Sequence, residues 1–343
     1  MLRRDQKLAI YMEGAVHGYG GKMGFGVLRY SPNPICCVID TETAGLDMMT
    51  EGPFPKPCPI VASIEKAHEM GAEVFVLGIA PPGGLIPQPW YAVIDRAVEL
   101  GMSVINGLHD LLGPRYPQLP DGQWVWDIRI EPPGIKPGTG AAAGVANRRL
   151  LLVGTDMAIG KMTAGLEIYR TALERGKNAE FVATGQIGIT ITGSGVPLDA
   201  VRVDFSAGAI EREVMNRQDA ELVIVEGQGS LNHPGSTATL ALMRGSMPTH
   251  LVLCHRAGQT HLTTHPEVPI APLGDLIRLY ENLASACGLF PSPTTIGVAL
   301  NTSHVKSDDV ALDECAALES ELGLPCVDPV RHGPDRLLDR LFL

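Results

Sequence analysis

The residues with the clearest chemical purpose lie between Leu150 and Arg170, in the sequence LLLVGTDMAIGKMTAGLEIYR. An apolar strand is followed by a glycine-containing loop and a helix, with Lys161 at the junction. In such a loop the backbone N–H groups point inward, the helix presents its positive end, and the lysine adds a full charge. The segment therefore predicts a phosphate-binding loop (P-loop). Its predicted cofactor-binding residues are Gly154, Thr155, Asp156, Met157, Ala158, Ile159, Gly160, Lys161, Met162 and Thr163.

The residue after the lysine argues against metal-assisted phosphoryl transfer. Met162 occupies the position where nucleotide hydrolases place the Ser or Thr hydroxyl that binds Mg²⁺. A thioether cannot replace that ligand, whereas Thr163 can still donate to a phosphate oxygen. The loop between Gly154 and Gly160 is also one residue longer than the common Walker A pattern. We expect a loop that binds an anion and requires no metal.

A second polar loop, EGQGSLNHPGS, follows the apolar run Leu222–Val225. Its first residue, Glu226, stands where P-loop proteins place a carboxylate that faces the phosphate loop. We predict Glu226 as the catalytic base or amine-orienting carboxylate, with His233 as the alternative base. The N–H groups of residues 227–230 could polarise a carbonyl, and Gln228 and Asn232 are predicted to bind substrate.

A third loop and the helix after it contain two candidate arginines. The loop TGQIGITITGSGVPLDAVRVDF is long and rich in glycine, and it includes Arg202; the helix SAGAIEREVMNR includes Arg212. Either guanidinium could bind a substrate carboxylate in a two-pronged contact. Solvated arginines on a packed glycine loop are the alternative interpretation.

Cys254, His255, His261 and His265 lie close together in sequence and could suggest zinc. His261 and His265 have i, i+4 spacing, but Pro266 and two threonines favour a loop over a helix. The chain has no HExxH motif and no paired-cysteine knuckle. We therefore predict no metal site, and we favour structural hydrogen bonding for these histidines.

Apolar runs alternate with helical patterns along the whole chain, which is typical of α/β layers around parallel sheets. A Pro/Gly/Ala-rich segment, residues 131–146, predicts a linker between two domains. Ligands of such sheets bind beyond the carboxyl ends of the strands. The predicted strands are Leu8–Met12, Ile35–Ile39, Val74–Ile79, Ser103–Asn106, Leu150–Val153, Glu180–Ala183, Leu222–Val225, His250–Cys254, Thr295–Ala299 and Cys326–Pro329, with helices at Ile60–Met70 and Trp90–Leu100.

The N-terminal half has its own glycine-rich loop, EGAVHGYGGKMGFGVLRY, with Lys22 at the turn into a helix. Its spacing departs from the standard dinucleotide fingerprint, so the motif gives only weak support for a redox dinucleotide site. Further polar loops follow later strands at 78–84 and 106–110. The role of this half is left open.

Composition narrows the class of protein. The chain has 343 residues, of which 45% are hydrophobic and 19% charged, and its net charge is −11. An acidic balance disfavours nonspecific binding to nucleic acid or to an anionic membrane. Seven cysteines without zinc or disulfide spacing fit reduced cytosolic thiols, and no apolar run is long enough for a signal peptide or a membrane span. We expect a cytoplasmic homo-oligomer that binds small molecules.

Several motifs together resemble one known family. They are GTDMAIGKMT (154–163), ATGQIG (183–188), DFSAGAIE (204–211) and VEGQGSLNHPG (225–235), preceded by APPGG (80–84) and INGLHD (105–110). The chain resembles a family long catalogued as a domain of unknown function, whose characterised branch is the D-glutamate N-acetyltransferases. The resemblance implies an α/β fold of two doubly wound, mostly parallel-sheet domains: Rossmann-like in residues 1–140 and P-loop NTPase-like in residues 141–343. It also implies that the P-loop binds acetyl-CoA as co-substrate.

The sequence thus predicts an acyltransferase of D-amino acid metabolism that moves acetyl from acetyl-CoA to the amine of a small acidic amino acid, with D-glutamate favoured. Two alternatives stay open. An ATP-dependent ligase or kinase of the dethiobiotin synthetase type would share the GTD loop, with Asp156 and Glu226 holding Mg²⁺. A non-catalytic nucleotide- or CoA-binding regulator would use the same loop without turnover.

Overall fold

A computed structural model describes residues 2–51, 54 and 56–343. The chain divides into two compact units. The first unit consists of Met1–Ile130 and Gln186–Pro197, and the second consists of Glu131–Gly185 and Leu198–Leu343. The division falls before residue 140, where the sequence analysis places the boundary, and the segment 186–197 belongs to the first unit although it lies within the second half of the chain.

The described residues of the first unit form a parallel six-stranded sheet in the order β3-β2-β1-β4-β5-β6. Strands β1, β4 and β5 are buried throughout, which accounts for the continuous apolar sequences of β1 and β4 and for the apolar centre of β5. In chain order the elements are β1 Leu8–Tyr11, α1 Lys22–Tyr30, β2 Ile35–Ile39, α2 Met48–Glu51, β3 Ile60–Val61, α3 Ile64–Glu69, β4 Val74–Leu77, α4 Trp90–Glu99, β5 Ser103–Asn106 and β6 Val125–Asp127. The first unit also contains α6 Gln186–Thr192, which is numbered sixth because one helix of the second unit precedes it in the chain.

The second unit also forms a parallel six-stranded sheet, in the order β12-β11-β10-β7-β9-β8 within the described residues. Strand β7 lies between β10 and β9, so the loop after it emerges in the middle of the carboxyl edge. The elements are β7 Arg148–Gly154, α5 Lys161–Glu174, β8 Ala179–Val182, α7 Val203–Met215, β9 Leu222–Val225, α8 Ala238–Ser246, β10 His250–Arg256, α9 Leu273–Ser285, β11 Thr294–Asn301, α10 Asp308–Leu322, β12 Cys326–Val327 and α11 Asp335–Leu341.

The two parallel sheets with helical crossovers confirm the predicted α/β fold class. Two local predictions were wrong. Residues 60–61, predicted as the start of a helix, form a strand that pairs with β2. The helix α3 begins only at Ile64, because the side chain of Ser63 accepts a hydrogen bond from the Lys66 N–H. Residues 186–192 are helix α6 where the sequence analysis expected loop.

The predicted linker is an ordered part of the second unit. The buried carboxylate of Glu211, on α7, accepts hydrogen bonds from the backbone N–H groups of Thr139 and Ala141. Gly208 on the same helix lets the backbone of Lys136 approach so closely that a Cβ would overlap its carbonyl oxygen. The Pro/Gly composition therefore serves close packing here. In the described part of the chain, no helix is long and apolar enough to cross a membrane.

Candidate anion-binding and catalytic site

The predicted P-loop joins β7 to α5 at the carboxyl edge of the second sheet. Two residues take left-handed backbone conformations: Ala158 with φ 55° and Gly160 with φ 111°. A left-handed alanine is strained, and such strain persists where surrounding contacts hold it and often marks a functional site. Gly160 is the residue at which the chain turns into the helix.

The carbonyl groups of this loop are bonded outward by side chains of the same unit. The Tyr280 hydroxyl donates to Gly154 O at 2.6 Å, and Asn232 Nδ2 donates to Thr155 O at 2.8 Å. Asn301 Nδ2 donates to Ile159 O at 3.0 Å. These bonds fix which way each peptide faces, because the N–H of a peptide points opposite to its carbonyl.

The N–H groups in the second half of the loop are left without partners in the described chain, whereas Thr155 N and Met157 N have acceptors. Within the described chain, none of the N–H groups from Ala158 to Thr163 has a hydrogen-bond acceptor; Ala164 N, bonded to Gly160 O, is the first to find one. The first N–H groups of any helix lack intrahelical acceptors, and here the preceding loop adds more. The loop therefore has the donors and the helix polarity needed to bind a phosphate or another anion.

Lys161 contributes a buried cation to the same loop. Its side chain is almost fully buried, and Nζ donates to Asp156 O at 2.7 Å. Burial lowers the pKa of Lys161 to about 8, although the charges of Cys254, Asp156 and Glu226 act in the opposite direction. A bound anion would stabilise the charged form.

The Asp156 carboxylate is satisfied within the protein. It accepts hydrogen bonds from Met157 N at 2.6 Å, Gln259 Nε2 at 2.7 Å and Thr263 N at 2.8 Å. Burial alone would raise its pKa, but these hydrogen bonds outweigh burial and hold the pKa of Asp156 below its usual range. Asp156 therefore anchors the P-loop to the segment after β10.

Glu226 follows β9, and its carboxylate lies in the interior of the second unit. One oxygen accepts hydrogen bonds from Thr184 N at 2.8 Å and from Gly185 N at 3.3 Å. Burial raises the pKa of Glu226 to about 7, against the opposing influence of those two N–H groups and of the Lys161 charge. A carboxyl group with this pKa can gain or lose a proton near neutral pH, as a general base must.

Close backbone packing places Glu226 beside the P-loop strand. The next residue, Gly227, has no room for a Cβ, which would overlap Leu152 O of β7 and contact the Lys161 side chain. The Gln228 amide lies against Gly185, the residue that donates to Glu226. The structure thus brings together Lys161, Glu226 and Gln228 of the predicted site residues.

Two predicted residues of this loop have structural partners. Asn232 uses its amide nitrogen on Thr155 O and its amide oxygen as acceptor for the Ser230 hydroxyl. Ser230 N donates to Ser236 Oγ at 3.0 Å, so it is not free to polarise a carbonyl as expected.

His233, the alternative base, is buried and bonded through both ring nitrogens. Nδ1 accepts from Gly235 N at 3.1 Å, which leaves the proton on Nε2, 2.9 Å from Thr264 Oγ1. Its ring packs edge-on against His265 at 5.0 Å. His233 therefore has no free ring nitrogen with which to accept a proton from a substrate.

The two predicted carboxylate-binding arginines have partners elsewhere in the second unit. Arg202 forms a two-pronged ion pair with Glu131, with its Nη2 at 2.6 Å, and its side chain is 68% exposed. Arg212 Nη1 donates to Pro133 O at 2.9 Å. Each would have to exchange its present partner for a substrate carboxylate.

The histidine segment after β10 is a bonded loop. His255 is buried and its Nδ1 lies 2.9 Å from Thr155 Oγ1; burial lowers the pKa of His255 to about 4. His261 pairs with Pro269 in an isolated bridge. In the described residues, no group of three or more His, Cys, Asp or Glu side chains is arranged to hold a metal ion.

The sequence analysis missed the residues that donate hydrogen bonds to the loop carbonyls and to the Asp156 carboxylate. Tyr280 lies inside α9 and Thr263 inside an irregular loop, so nothing local marks them. Asn301 had a usable signal, because it is the polar last residue of an apolar strand, β11, at the edge where ligands bind.

Fold and site together define a two-domain α/β protein with a P-loop anion site. The chain belongs to the DUF1611 family: the P-loop domain of that family matches residues 136–338, and its Rossmann-like N-terminal domain matches residues 41–131. This finding confirms the resemblance seen in the motifs.

Named relatives and a solved structure extend the comparison. A D-glutamate N-acetyltransferase of a Pseudoalteromonas species is 36% identical over 81% of this chain and 84% of its own length. One from Tritonibacter scottomollicae is 37% identical over the same shares. The crystal structure of a DUF1611 family protein from Anabaena variabilis, 47% identical, covers 98% of this chain and 99% of its own, with a TM-score of 0.94.

Proposed function

We propose that this protein is an N-acetyltransferase that moves the acetyl group of acetyl-CoA to the amine of a small acidic amino acid, with D-glutamate favoured. The observation that carries the proposal is the pairing of an anion-binding loop that lacks a metal-binding hydroxyl with a buried carboxyl group, Glu226, whose pKa is about 7. The relatives named D-glutamate N-acetyltransferase support the acyl transfer and the choice of amino acid.

In the proposed reaction Glu226 serves as the base. The amino group of an amino acid is protonated at neutral pH and must lose a proton before it attacks a thioester. A carboxylate with pKa near 7 accepts that proton, and the amine then attacks the acetyl carbon. The nitrogen loses a second proton to solvent as the amide forms, and the C–S bond breaks to release the CoA thiolate. The proton held on Glu226 can then pass to the thiolate, so Glu226 returns to its starting state.

The P-loop fits the phosphates of coenzyme A. The unpartnered N–H groups of residues 158–163 and the ammonium of Lys161 supply donors and charge for a pyrophosphate. Acetyl transfer leaves those phosphates intact, so the loop needs to bind them without activating them. Met162 and Thr163 are both partly exposed at the start of α5. The Met162 thioether does not replace a Mg²⁺-binding hydroxyl, and the Thr163 hydroxyl can donate to a phosphate oxygen.

One contact weighs against the ligase alternative. A Mg²⁺–ATP site would call on the Asp156 carboxylate as a ligand, yet its oxygens already accept three hydrogen bonds that anchor the loop. Carboxylate coordination would break those bonds, and Mg²⁺ would still lack the hydroxyl that Met162 replaces. The acceptor's carboxylate stays assigned to Arg202 or Arg212, either of which would leave its present partner on binding.

The test is release of free CoA thiol from acetyl-CoA, measured with D-glutamate, L-glutamate, D-aspartate and D-glutamine. We expect the fastest release with D-glutamate, an N-acetyl product in equal amount, and release from Glu226→Gln slower by about 10²- to 10⁴-fold. ATP turnover that depends on Mg²⁺ would instead support the ligase. Binding of acetyl-CoA without transfer to any amine would support the regulator.

A further inference from the structure

Arg256 is a cation beside the P-loop whose hydrogen-bonding capacity is largely unused. It is the last residue of β10, opposite Asn301 of β11 in the sheet register. Both side chains reach the P-loop: Asn301 bonds Ile159 O, and Arg256 Nη2 lies 3.4 Å from Ala158 O. The Asn301 contact has ordinary length, whereas 3.4 Å is long for an N–H···O bond.

Among the described residues, no acceptor is found for the other nitrogens of the guanidinium. Arg256 Nε is buried and finds no hydrogen-bond partner in the described part of the chain. Arg256 also forms no ion pair there, unlike Arg202, Arg217 and Arg278 of the same unit, which each contact a carboxylate. A buried donor without an acceptor destabilises the folded protein. Such a donor calls for an explanation, and a ligand that supplies the acceptor is one.

The position of Arg256 indicates the chemical class of ligand that it could bind. Its guanidinium contacts the loop at Ala158, the left-handed residue where the run of unpartnered N–H groups begins. The contact is with a carbonyl, so the guanidinium lies at the edge of the loop, where a ligand that extends from those N–H groups past Ala158 would meet it. A guanidinium binds phosphate oxygens with two parallel donors.

We propose that Arg256 is a coenzyme-binding residue that holds a pyrophosphate oxygen of acetyl-CoA together with the P-loop N–H groups and Lys161. The identity of the anion rests on the proposed function. The contact between Arg256 and the loop does not depend on it, so a phosphate probe can test the arginine separately.

The experiment measures dissociation constants for inorganic pyrophosphate, acetyl-CoA and its 3′-dephospho form. It also measures kcat/KM for S-acetylpantetheine, which carries the thioester without the pyrophosphate. The variants are Arg256→Gln, Arg256→Lys and the control Arg278→Gln, which removes an exposed charge from α9. Thermal unfolding of each variant verifies the fold, and Arg256→Lys keeps the charge if Arg256→Gln does not fold.

We expect Arg256→Gln to weaken binding of all three phosphate ligands by about ten-fold or more, with Arg256→Lys between it and the unaltered protein. The kcat/KM for S-acetylpantetheine should be unchanged, and Arg278→Gln should match the unaltered protein throughout. Equal losses with S-acetylpantetheine, or unchanged pyrophosphate binding, would overturn the proposal. A loss that disappears with 3′-dephospho-acetyl-CoA would move the arginine to the ribose phosphate and would also overturn it.

Failure of the proposed function would look different. If the unaltered protein binds pyrophosphate through Arg256 but transfers no acetyl group, the arginine keeps its role and the acetyltransferase proposal fails. If acetyl transfer proceeds and Arg256→Gln changes no phosphate affinity, the acetyltransferase proposal stands and the proposed role of Arg256 fails.

Discussion

Each unit of this protein has a glycine-rich loop after its first strand and a lysine at the start of the next helix, yet the two loops differ in which backbone groups are bonded. After β1, Gly14 N donates to the Asp40 carboxylate at 2.7 Å, and Ala15 N and Gly18 N donate to nearby carbonyls. After β7, side chains bond three of the carbonyls, and the N–H groups of residues 158–163 have no acceptor among the described residues. Three donors of the first loop are thus used within its unit, whereas the second loop has a continuous run of N–H groups, 158–163, without an acceptor in the described chain.

The lysines that follow the two loops also differ in how deeply they are buried. Lys22 is exposed at the start of α1, whereas Lys161 is buried with its Nζ against the loop. The acids beside the loops also differ: Asp40 accepts hydrogen bonds from Gly14 and Thr43, while burial raises the pKa of Glu226 to about 7. A similar pattern of residue types therefore yields a closed turn in one unit and a candidate site in the other.

The largest expected effect comes from exchanging the two acids for their amides. Glu226→Gln should lower kcat by about 10²- to 10⁴-fold, because it removes a general base. In the unaltered protein kcat/KM should rise with pH through about 7, as the carboxyl loses its proton. Asp40→Asn should leave kcat near normal and mainly destabilise the first unit. Steady-state kinetics over pH 5.5–9 checks both, and equal losses in the two variants would contradict the comparison.

Glu226 should also shape the pH dependence of stability. Burial makes the folded protein hold this proton more tightly than the unfolded chain, whose ordinary value is 4.5. The stabilising contribution is fully present below pH 4.5 and is lost as the pH rises through about 7. It amounts to at most about 3 kcal/mol. Melting temperatures of the unaltered protein and of Glu226→Gln should therefore diverge between pH 4.5 and 7, and parallel curves would argue against a raised pKa.

The two lysines give a direct comparison of the loops. Lys161→Ala should weaken acetyl-CoA binding by about ten- to a hundred-fold, since it removes a charge-assisted hydrogen bond. Lys22→Ala should change it less than about two-fold, which is a difference of only ~0.4 kcal/mol. Isothermal titration measures both. A comparable loss with Lys22→Ala would assign coenzyme binding to the N-terminal loop as well.

Tyr280→Phe tests whether the outward bonding of carbonyls matters. The variant keeps the ring but leaves Gly154 O and Leu231 N without their partner, the Tyr280 hydroxyl. It should cost about 1–3 kcal/mol of unfolding free energy and weaken acetyl-CoA binding several-fold. Tyr91→Phe, on α4 of the first unit, is the matched control and should stay within about 0.5 kcal/mol. Unchanged affinity in Tyr280→Phe would show that the loop conformation does not depend on this bond.

Chelation should have the smallest effect. With Met162 at the position of the metal-binding hydroxyl, acetyl transfer in EDTA should stay within about two-fold of the untreated rate, a change of only ~0.4 kcal/mol in barrier. ATP hydrolysis should stay at background with or without Mg²⁺. A large loss of transfer that Mg²⁺ restores would contradict the metal-independent reading of this loop.

The sequence by itself determined most of the buried strands and the location of the candidate site. Because buried parallel strands are mostly apolar, Ile35–Ile39, Ser103–Asn106 and Leu222–Val225 have the bounds predicted for them. The strand–loop–lysine–helix order of residues 150–170 and the acid after β9 were also evident, because loops at the carboxyl edge must carry the polar groups that bind a ligand. Short strands such as β3 and β6 gave no comparable signal.

Only the tertiary structure decided which polar residues are available to a ligand. His233, Asn232 and Arg202 have suitable side chains, but Thr264, Thr155 and Glu131 occupy them. Arg256 gave no stronger signal in the sequence than these three, and it alone among them has a buried nitrogen without a partner in the described chain. Hydrogen-bond partners come from residues far apart in sequence, so residue type shows what a group can do, and packing decides whether it is free to do it.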